Sequence, residues 1–149
     1  MCVLRVAGKQ LDVDRHLAVS GLTADRVFRA GEPRWISQPD GKRYEMSGFT
    51  VEVSRGSWSN LDEQARDAIG FLKRHEAPLS KLRAAPDVED MRLDFRVDLR
   101  IDRQKVMAQF DYFPPELVSR AGALGLGLEI SIYPVDLDAL ARARQTDRS

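Results

Sequence analysis

Apolar and polar residues alternate without a break from Met91 to Asp102. A period of two is the side-chain period of a β-strand, so this stretch predicts a strand with one face in the core and the other in water. In a helix the same apolar residues would be scattered around the whole surface. The predicted core face carries Met91, Leu93, Phe95, Val97, Leu99 and Ile101.

Arginine and aspartate alternate on the other, polar face of this strand. Such a face is either a charged binding stripe or an ordinary solvated sheet surface. Neighbouring opposite charges keep a sheet face soluble and form weak lateral pairs, each worth about 0.2–1 kcal/mol. We therefore interpret this face as solvated surface. It carries Arg92, Asp94, Arg96, Asp98, Arg100 and Asp102.

A second alternating run follows the long strand. Residues Asp102–Lys105 have the character of a turn, and Val106, Ala108 and Phe110 continue the apolar alternation. Two alternating runs joined by a short turn predict an antiparallel hairpin.

A helix and a last strand are predicted after this hairpin. Pro114-Pro115 marks the helix start, because proline is tolerated in a first helical turn. Gly125 or Gly127 ends the helix. Pro134 closes the strand that follows, whose alternating apolar residues are Leu126, Leu128, Ile130 and Ile132.

The first half of the chain predicts three more strands and two helices. Asn60 followed by Glu63 matches a capping box, in which each residue satisfies a free backbone N–H at a helix start. Apolar residues then recur at helical spacing as far as Leu72, and Pro78 ends this helix or begins a short continuation through Leu82. The other predictions are strands at Cys2–Ala7, Val27-Phe28 and Phe49–Val53 and a short helix at Asp12–Ser20.

The order of these elements, β-α-β-β-α-β-β-α-β, predicts an α+β fold. We expect a two-layer sandwich, with a mostly antiparallel sheet that has helices on one face and solvent on the other. A chain of 149 residues fits one domain and is too short for two ordinary ones. We assign residues 1–135 to this domain and residues 136–149 to a charged C-terminal tail.

Composition excludes several classes of protein. The 23 basic and 23 acidic residues cancel, whereas a nucleic-acid binder usually has a basic excess that neutralises phosphates. No apolar run approaches the roughly 20 residues of a membrane helix. Cys2 is the one cysteine, so an intramolecular disulfide is impossible. We predict a cytoplasmic protein that binds neither nucleic acid nor membrane, and the excess of arginine over lysine (18 to 5) suggests a GC-rich bacterial genome.

No recognisable active site appears in the sequence. His16 and His75 each stand alone on a predicted helix, where a surface or capping role is the simplest interpretation, whereas a zinc site needs several His or Cys at characteristic spacing. Cys2 lies on an apolar strand without a nearby histidine and is interpreted as a small core residue. We predict no catalytic residue, no metal site and no cofactor.

One irregular stretch, Ala30–Gly48, is rich in residue types that dominate binding hot spots, because arginine, tryptophan and tyrosine bury large areas with few rotamers. Two interpretations remain: the tryptophans plug the edge of the sheet, or they contact a partner. The candidate binding residues are Arg34, Trp35, Arg43 and Tyr44 of this stretch, together with Trp58 of a second loop.

A set of short segments between about Cys2 and Pro134 points to a known family. They are Val27-Phe28-Arg29-Ala30-Gly31-Glu32-Pro33, Gly56-Ser57-Trp58, Arg92-Leu93-Asp94-Phe95, Phe113-Pro114-Pro115-Glu116-Leu117, Ala123-Leu124-Gly125-Leu126 and Ile130-Ser131-Ile132-Tyr133. These segments resemble those of the domain of unknown function 4279 (DUF4279) family. The resemblance implies a small, mostly bacterial α+β protein without an assigned activity, and it transfers no catalytic residue.

The leading hypothesis is therefore a non-enzymatic protein-interaction domain that uses Ala30–Gly48 or the open sheet face. An immunity-type protein that binds a toxin is one form of this hypothesis, by analogy with other small bacterial families. The alternative is a small-ligand-binding or enzymatic domain with a pocket between sheet and helices. A homodimer formed through the sheet is a third possibility.

Overall fold

The computed structural model describes residues 1–101 and 104–134. Within these ranges the chain forms five strands and four helices. The strands are β1 (Cys2–Gly8), β2 (Arg26–Phe28), β3 (Ser47–Ser54), β4 (Asp90–Asp98) and β5 (Gly127–Tyr133). The helices are α1 (Val13–Ser20), α2 (Leu61–Arg74), α3 (Glu76–Ala84) and α4 (Pro115–Ala123).

The strands form one sheet in the order β2-β3-β1-β4-β5. Strand β1 lies at its centre and is antiparallel to both neighbours, so that Leu4 faces Val51 on one side and Leu93 on the other. Strand β5 pairs in parallel with β4 at the outer edge. Helix α4 makes the crossover that parallel neighbours need. The α+β fold with a mostly antiparallel sheet is confirmed.

The core lies between the helices and the apolar face of the sheet. Alternate residues of β4 from Met91 to Val97 are buried, and the arginines and aspartates between them are half-buried on the other face. Leu72, Leu79 and Leu117 bring helices α2, α3 and α4 into the same buried cluster. The alternation in the sequence therefore defines the two faces of the sheet.

Helix α2 begins at the predicted capping box. The backbone N–H of Glu63 donates to the side chain of Asn60 at 3.1 Å. The reciprocal bond runs between the two side chains, because the backbone N–H of Asn60 already donates to the carbonyl of Ser57. Pro78 lies in the first turn of α3, so it begins a separate short helix, the second of the two predicted alternatives.

The predicted length of the long strand is wrong at its end. Strand β4 stops at Asp98, and Leu99 and Ile101 are 41% and 45% exposed instead of buried. The pairing with β1 ends at Phe95, and the pairing with β5 ends at Asp98, so no strand among the described residues continues beyond that point. Asp102 lies outside the described residues.

The predicted hairpin is also wrong. Residues 104–114 contribute no strand to the sheet, and the outer neighbour of β4 is the parallel strand β5. The side chain of Gln109 organises this segment instead. It accepts from the backbone N–H of Arg100 at 2.9 Å and donates to the carbonyl of Asp98 at 3.2 Å and to the carboxylate of Asp111 at 2.8 Å.

The predicted C-terminal tail, residues 136–149, lies outside the described residues. Among the helices of the described ranges, none has the length and apolar character needed to cross a membrane.

Candidate binding site

The open face of the sheet, opposite the helices, brings together arginines from distant parts of the sequence. The strand register places Arg26 of β2 beside Thr50 of β3, Thr50 beside Arg5 of β1, and Arg5 beside Arg92 of β4. These residues form one row across four adjacent strands, because paired positions of neighbouring strands point to the same face.

Acidic residues on β4 and β5 neutralise one end of this face. Arg92 pairs with Asp90 at 2.7 Å and with Glu129 at 3.2 Å. Asp94 lies 3.6 Å from Arg96 and accepts a 2.6 Å hydrogen bond from the hydroxyl of Ser131. The face is thus charged and half-buried, with lateral pairs of the kind predicted for the alternating strand.

The pairing is incomplete on the arginine side. Across the described part of the chain, the Nε atoms of Arg5, Arg92 and Arg96 are buried without a hydrogen-bond acceptor. A buried N–H of a charged group without an acceptor is costly. Two of these atoms lie near a carboxylate without reaching hydrogen-bond distance: Arg5 Nε is 3.7 Å from Asp90, and Arg96 Nε is 3.6 Å from Asp94.

A groove of about 360 Å³ runs over the open face. Its lining is mainly polar and joins the charged strand residues to the aromatic residues at the β2 edge. The residues that line it are Val3, Arg5, Asp25, Arg26, Phe28, Tyr44, Thr50, Asp94, Arg96, Glu129 and Ser131.

Two arginines of the groove lining, Arg5 and Arg26, and a third from outside that lining, Arg34, lie close to two aromatic rings. The rings of Phe28 and Tyr44 stack with centroids 4.8 Å apart. The guanidinium of Arg5 lies 5.1 Å from the centroid of the Phe28 ring, and those of Arg26 and Arg34 lie 5.8 Å from that of Tyr44. Arg26 also donates a hydrogen bond to the Tyr44 hydroxyl. We call these five residues the arginine–aromatic cluster.

Residues 29–46 form a loop with a defined backbone. The N–H of Gly31 donates to the carbonyl of Tyr44 at 2.8 Å, and the N–H of Arg34 donates to the carbonyl of Lys42 at 2.9 Å. Gly31 has a φ of 85°, a conformation that L side chains rarely adopt. Arg43 links two parts of the loop, since its guanidinium donates to the carbonyl of Gly31 at 2.6 Å.

Four of the five predicted binding residues lie on this loop, in different positions. Trp35 is 61% exposed, and its neighbour Ile36 is fully exposed. Arg34 and Tyr44 belong to the arginine–aromatic cluster. Arg43 holds the loop together. The structure thus brings Arg34 and Tyr44 into contact and leaves Trp35 in solvent.

Trp58 lies elsewhere. It follows the end of β3, whereas the loop precedes the start of that strand. Its ring packs on Tyr133 with centroids 4.9 Å apart, and its carbonyl accepts from the N–H of Asp98 at 3.1 Å. It is half-buried at the edge of the sheet and is not part of the groove lining, which agrees with the interpretation as a plug.

Sequence reasoning missed Arg5, Arg26, Phe28 and Thr50 as members of one site. Arg5 does carry a signal, because it interrupts an otherwise apolar strand. The others carry none, because only the strand register places them beside it.

The surface interpretation of His16 is wrong. His16 is buried, and its Nε2 lies 2.9 and 2.8 Å from the two carboxylate oxygens of Asp87, to which it donates. A cavity of about 150 Å³ adjoins it between α1 and α3. In the described ranges no hydroxyl or thiol hydrogen-bonds to this histidine. His75 caps the C-terminus of α2, as interpreted.

Cys2 is fully buried on β1, and burial raises the pKa of its thiol. The thiolate is therefore disfavoured, which agrees with a core role. Among the residues whose placement is described, no group of three His, Cys, Asp or Glu residues is arranged to hold a metal ion.

Comparison with known proteins gives a match to a protein family. The family model of the domain of unknown function DUF4279 matches residues 1–135 of the 149-residue chain. No match was found among curated proteins or among solved structures.

Proposed function

We propose that this chain, which belongs to the DUF4279 family, is a non-enzymatic domain that binds another protein through the loop 29–46 and the open sheet face. The observation that carries this proposal is the pair Trp35 and Ile36, which are 61% and 100% exposed on a loop held by backbone hydrogen bonds. Large apolar side chains that are exposed next to each other form the kind of patch that marks a contact with a partner.

The loop is suited to binding because its backbone is already ordered before a partner binds. Tryptophan supplies a large contact area with few rotamers, and a backbone already fixed by hydrogen bonds lowers the entropy that association costs. The charged groove beside the loop adds specificity, because only a partner with complementary charges avoids leaving ions unpaired. An immunity-type inhibitor that binds a toxin would use this loop and the charged groove beside it. The single cysteine agrees with a reducing compartment such as the cytoplasm.

The test compares two surface variants in capture experiments. We expect the double variant Trp35→Ser with Ile36→Ser to lose the proteins that the wild-type chain captures from an extract of its source cells. Val19→Ser is the matched control, because Val19 is 68% exposed but belongs to helix α1 and not to the loop. Urea unfolding of each variant checks the fold.

Capture that is unchanged in the double variant contradicts the proposal. Light scattering of the purified chain shows whether the captured partner is a second copy of it, the homodimer that the sequence leaves open.

A second candidate function is binding of a small polar molecule in the groove. The groove volume of about 360 Å³ favours it, because small-molecule sites measure about 300–1,000 Å³. This site lies on the open face and not between sheet and helices, where residues such as Leu4 and Phe95 fill the space without exposure. Native mass spectrometry tests it: a bound molecule lost on Arg26→Gln supports it, and an empty wild-type protein contradicts it.

A further inference from the structure

We propose that the arginine–aromatic cluster is an anion site that receives carboxylate side chains from an acidic segment of the partner protein. The inference rests on the proposed protein-binding function and names the chemistry that the groove recognises.

The first argument is the missing counter-charge. No acidic side chain of the described ranges forms an ion pair with Arg26 or Arg34. Arg5 has one carboxylate in reach, that of Asp90 at 3.7 Å, and Arg92 holds the same carboxylate at 2.7 Å. The cluster therefore carries three positive charges that the protein itself neutralises only weakly.

The second argument is the position of the guanidinium groups. An arginine that lies over an aromatic ring uses the face of its guanidinium, and the N–H groups at the edge stay available for an anion. The stacked rings of Phe28 and Tyr44 hold the guanidinium groups of Arg5 and Arg26 in the groove lining, and Arg34 lies by Tyr44 just outside that lining. Thr50 adds a hydroxyl to the groove lining, one strand away from both Arg5 and Arg26.

The third argument concerns which anion fits. Asp25 lines the same groove, and Asp94 and Glu129 lie further along it. Asp94 and Glu129 are already paired with Arg96 and Arg92, but their charges and that of Asp25 still repel a multiply charged anion. A singly charged carboxylate is repelled less and matches the planar fork of arginine. An acidic protein segment supplies such groups one at a time.

The experiment titrates the ¹⁵N-labelled full chain with a short acetylated and amidated peptide of alternating Glu and Asp. The matched peptide has Gln and Asn at the same positions. We expect the acidic peptide to shift the Nε–H resonances of Arg5, Arg26 and Arg34 and the amide of Thr50, and the neutral peptide to leave them unchanged. The shifts weaken with added sodium chloride, because the site is open to solvent.

Two variants locate the site. We expect Arg26→Gln to raise the Kd of the acidic peptide about tenfold, the effect of removing one charge-assisted hydrogen-bonding group. Arg15→Gln is the matched control, because Arg15 is also exposed and without an ion pair in the described ranges, but lies on helix α1. We expect it to bind the peptide as the wild type does.

Several results would overturn the proposal: equal shifts with both peptides, equal losses in Arg26→Gln and Arg15→Gln, or inorganic phosphate that displaces the peptide at a lower concentration than acetate. The protein-binding function is tested separately, by the Trp35 and Ile36 variant. If that variant loses its captured proteins while the acidic peptide fails to bind, the function stands and the carboxylate site does not.

Discussion

Asp87 is the acceptor for the buried ring of His16. Partial burial acts to raise the pKa of this carboxyl group, but hydrogen bonds from His16 and from the backbone N–H of Asp12 act in the opposite direction. The hydrogen bonds prevail, and the pKa of Asp87 lies below its usual value. Its ionised form therefore stabilises the contact between α1 and the segment that precedes β4.

This lowered pKa predicts a pH-dependent contribution to stability. The contribution is fully present above the unfolded-state pKa of about 3.9, and it is lost as the pH falls through the lower folded-state value. We expect Asp87→Asn to reduce the free energy of unfolding by about 1 kcal/mol near neutral pH, and by progressively less in acid. Urea unfolding of both proteins across this pH range measures the difference.

Asp40→Asn is the control for this prediction. Asp40 is exposed in a turn of the loop, so its replacement changes the free energy of unfolding by less than about 0.5 kcal/mol. A difference between wild type and Asp87→Asn that stays constant as the pH falls would show that the carboxylate charge does not act through this pair.

At the scale of elements, the contact between β2 and β3 depends on Gly48. A Cβ atom at this position would lie 2.3 Å from the carbonyl oxygen of Val6 and 2.5 Å from the ring of Phe28. Glycine thus allows the Phe28 ring to lie against the sheet, where it stacks on Tyr44. The aromatic part of the proposed anion site exists because one strand carries no side chain at this point.

We expect Gly48→Ala to lower the free energy of unfolding by about 1–3 kcal/mol, the usual cost of forcing extra volume into a packed site. Gly122→Ala is a control that is expected to change the free energy of unfolding in the opposite direction. Nothing lies within 4 Å of a Cβ at Gly122 in helix α4, so alanine is expected to stabilise the protein by about 0.5–1 kcal/mol. Urea unfolding gives both values, and similar stability of the two variants would contradict the packing argument.

At the scale of elements, the sequence predicts features that depend on local signals but not those that depend on strand pairing. The alternation from Met91 to Val97 and the cap at Asn60 are local signals, and both are confirmed. The alternation of Leu99 and Ile101 says which way a side chain would point in a strand, but not whether a neighbouring strand is present. The hairpin prediction was wrong for a related reason: the pairing of β4 with β5 depends on the packing of the crossover helix α4.

At the scale of the whole molecule, residue type and strand order contribute to different parts of the site. Arg34 and Tyr44 were predicted from residue type, because such residues favour binding surfaces. Arg5 and Arg26 join them only through the register of β1, β3 and β2, which brings together residues far apart in the sequence. The net charge of the sequence does not reveal this cluster, because acidic residues elsewhere in the chain balance the three arginines.

Whether this site exists before a partner arrives depends on how stability is distributed over the molecule. Strand β1 is paired on both sides and lined by fully buried residues, so we expect its amides to exchange with solvent most slowly. The amides of Gly31, Arg34 and Tyr44 donate within the loop 29–46, and we expect them to exchange more slowly than exposed amides without an acceptor. Native-state hydrogen exchange measures both. If these loop amides exchange as fast as those of an unstructured peptide, Trp35 and Ile36 are not held in place. A partner would then have to order the loop, and the affinity that a fixed backbone contributes would be lost.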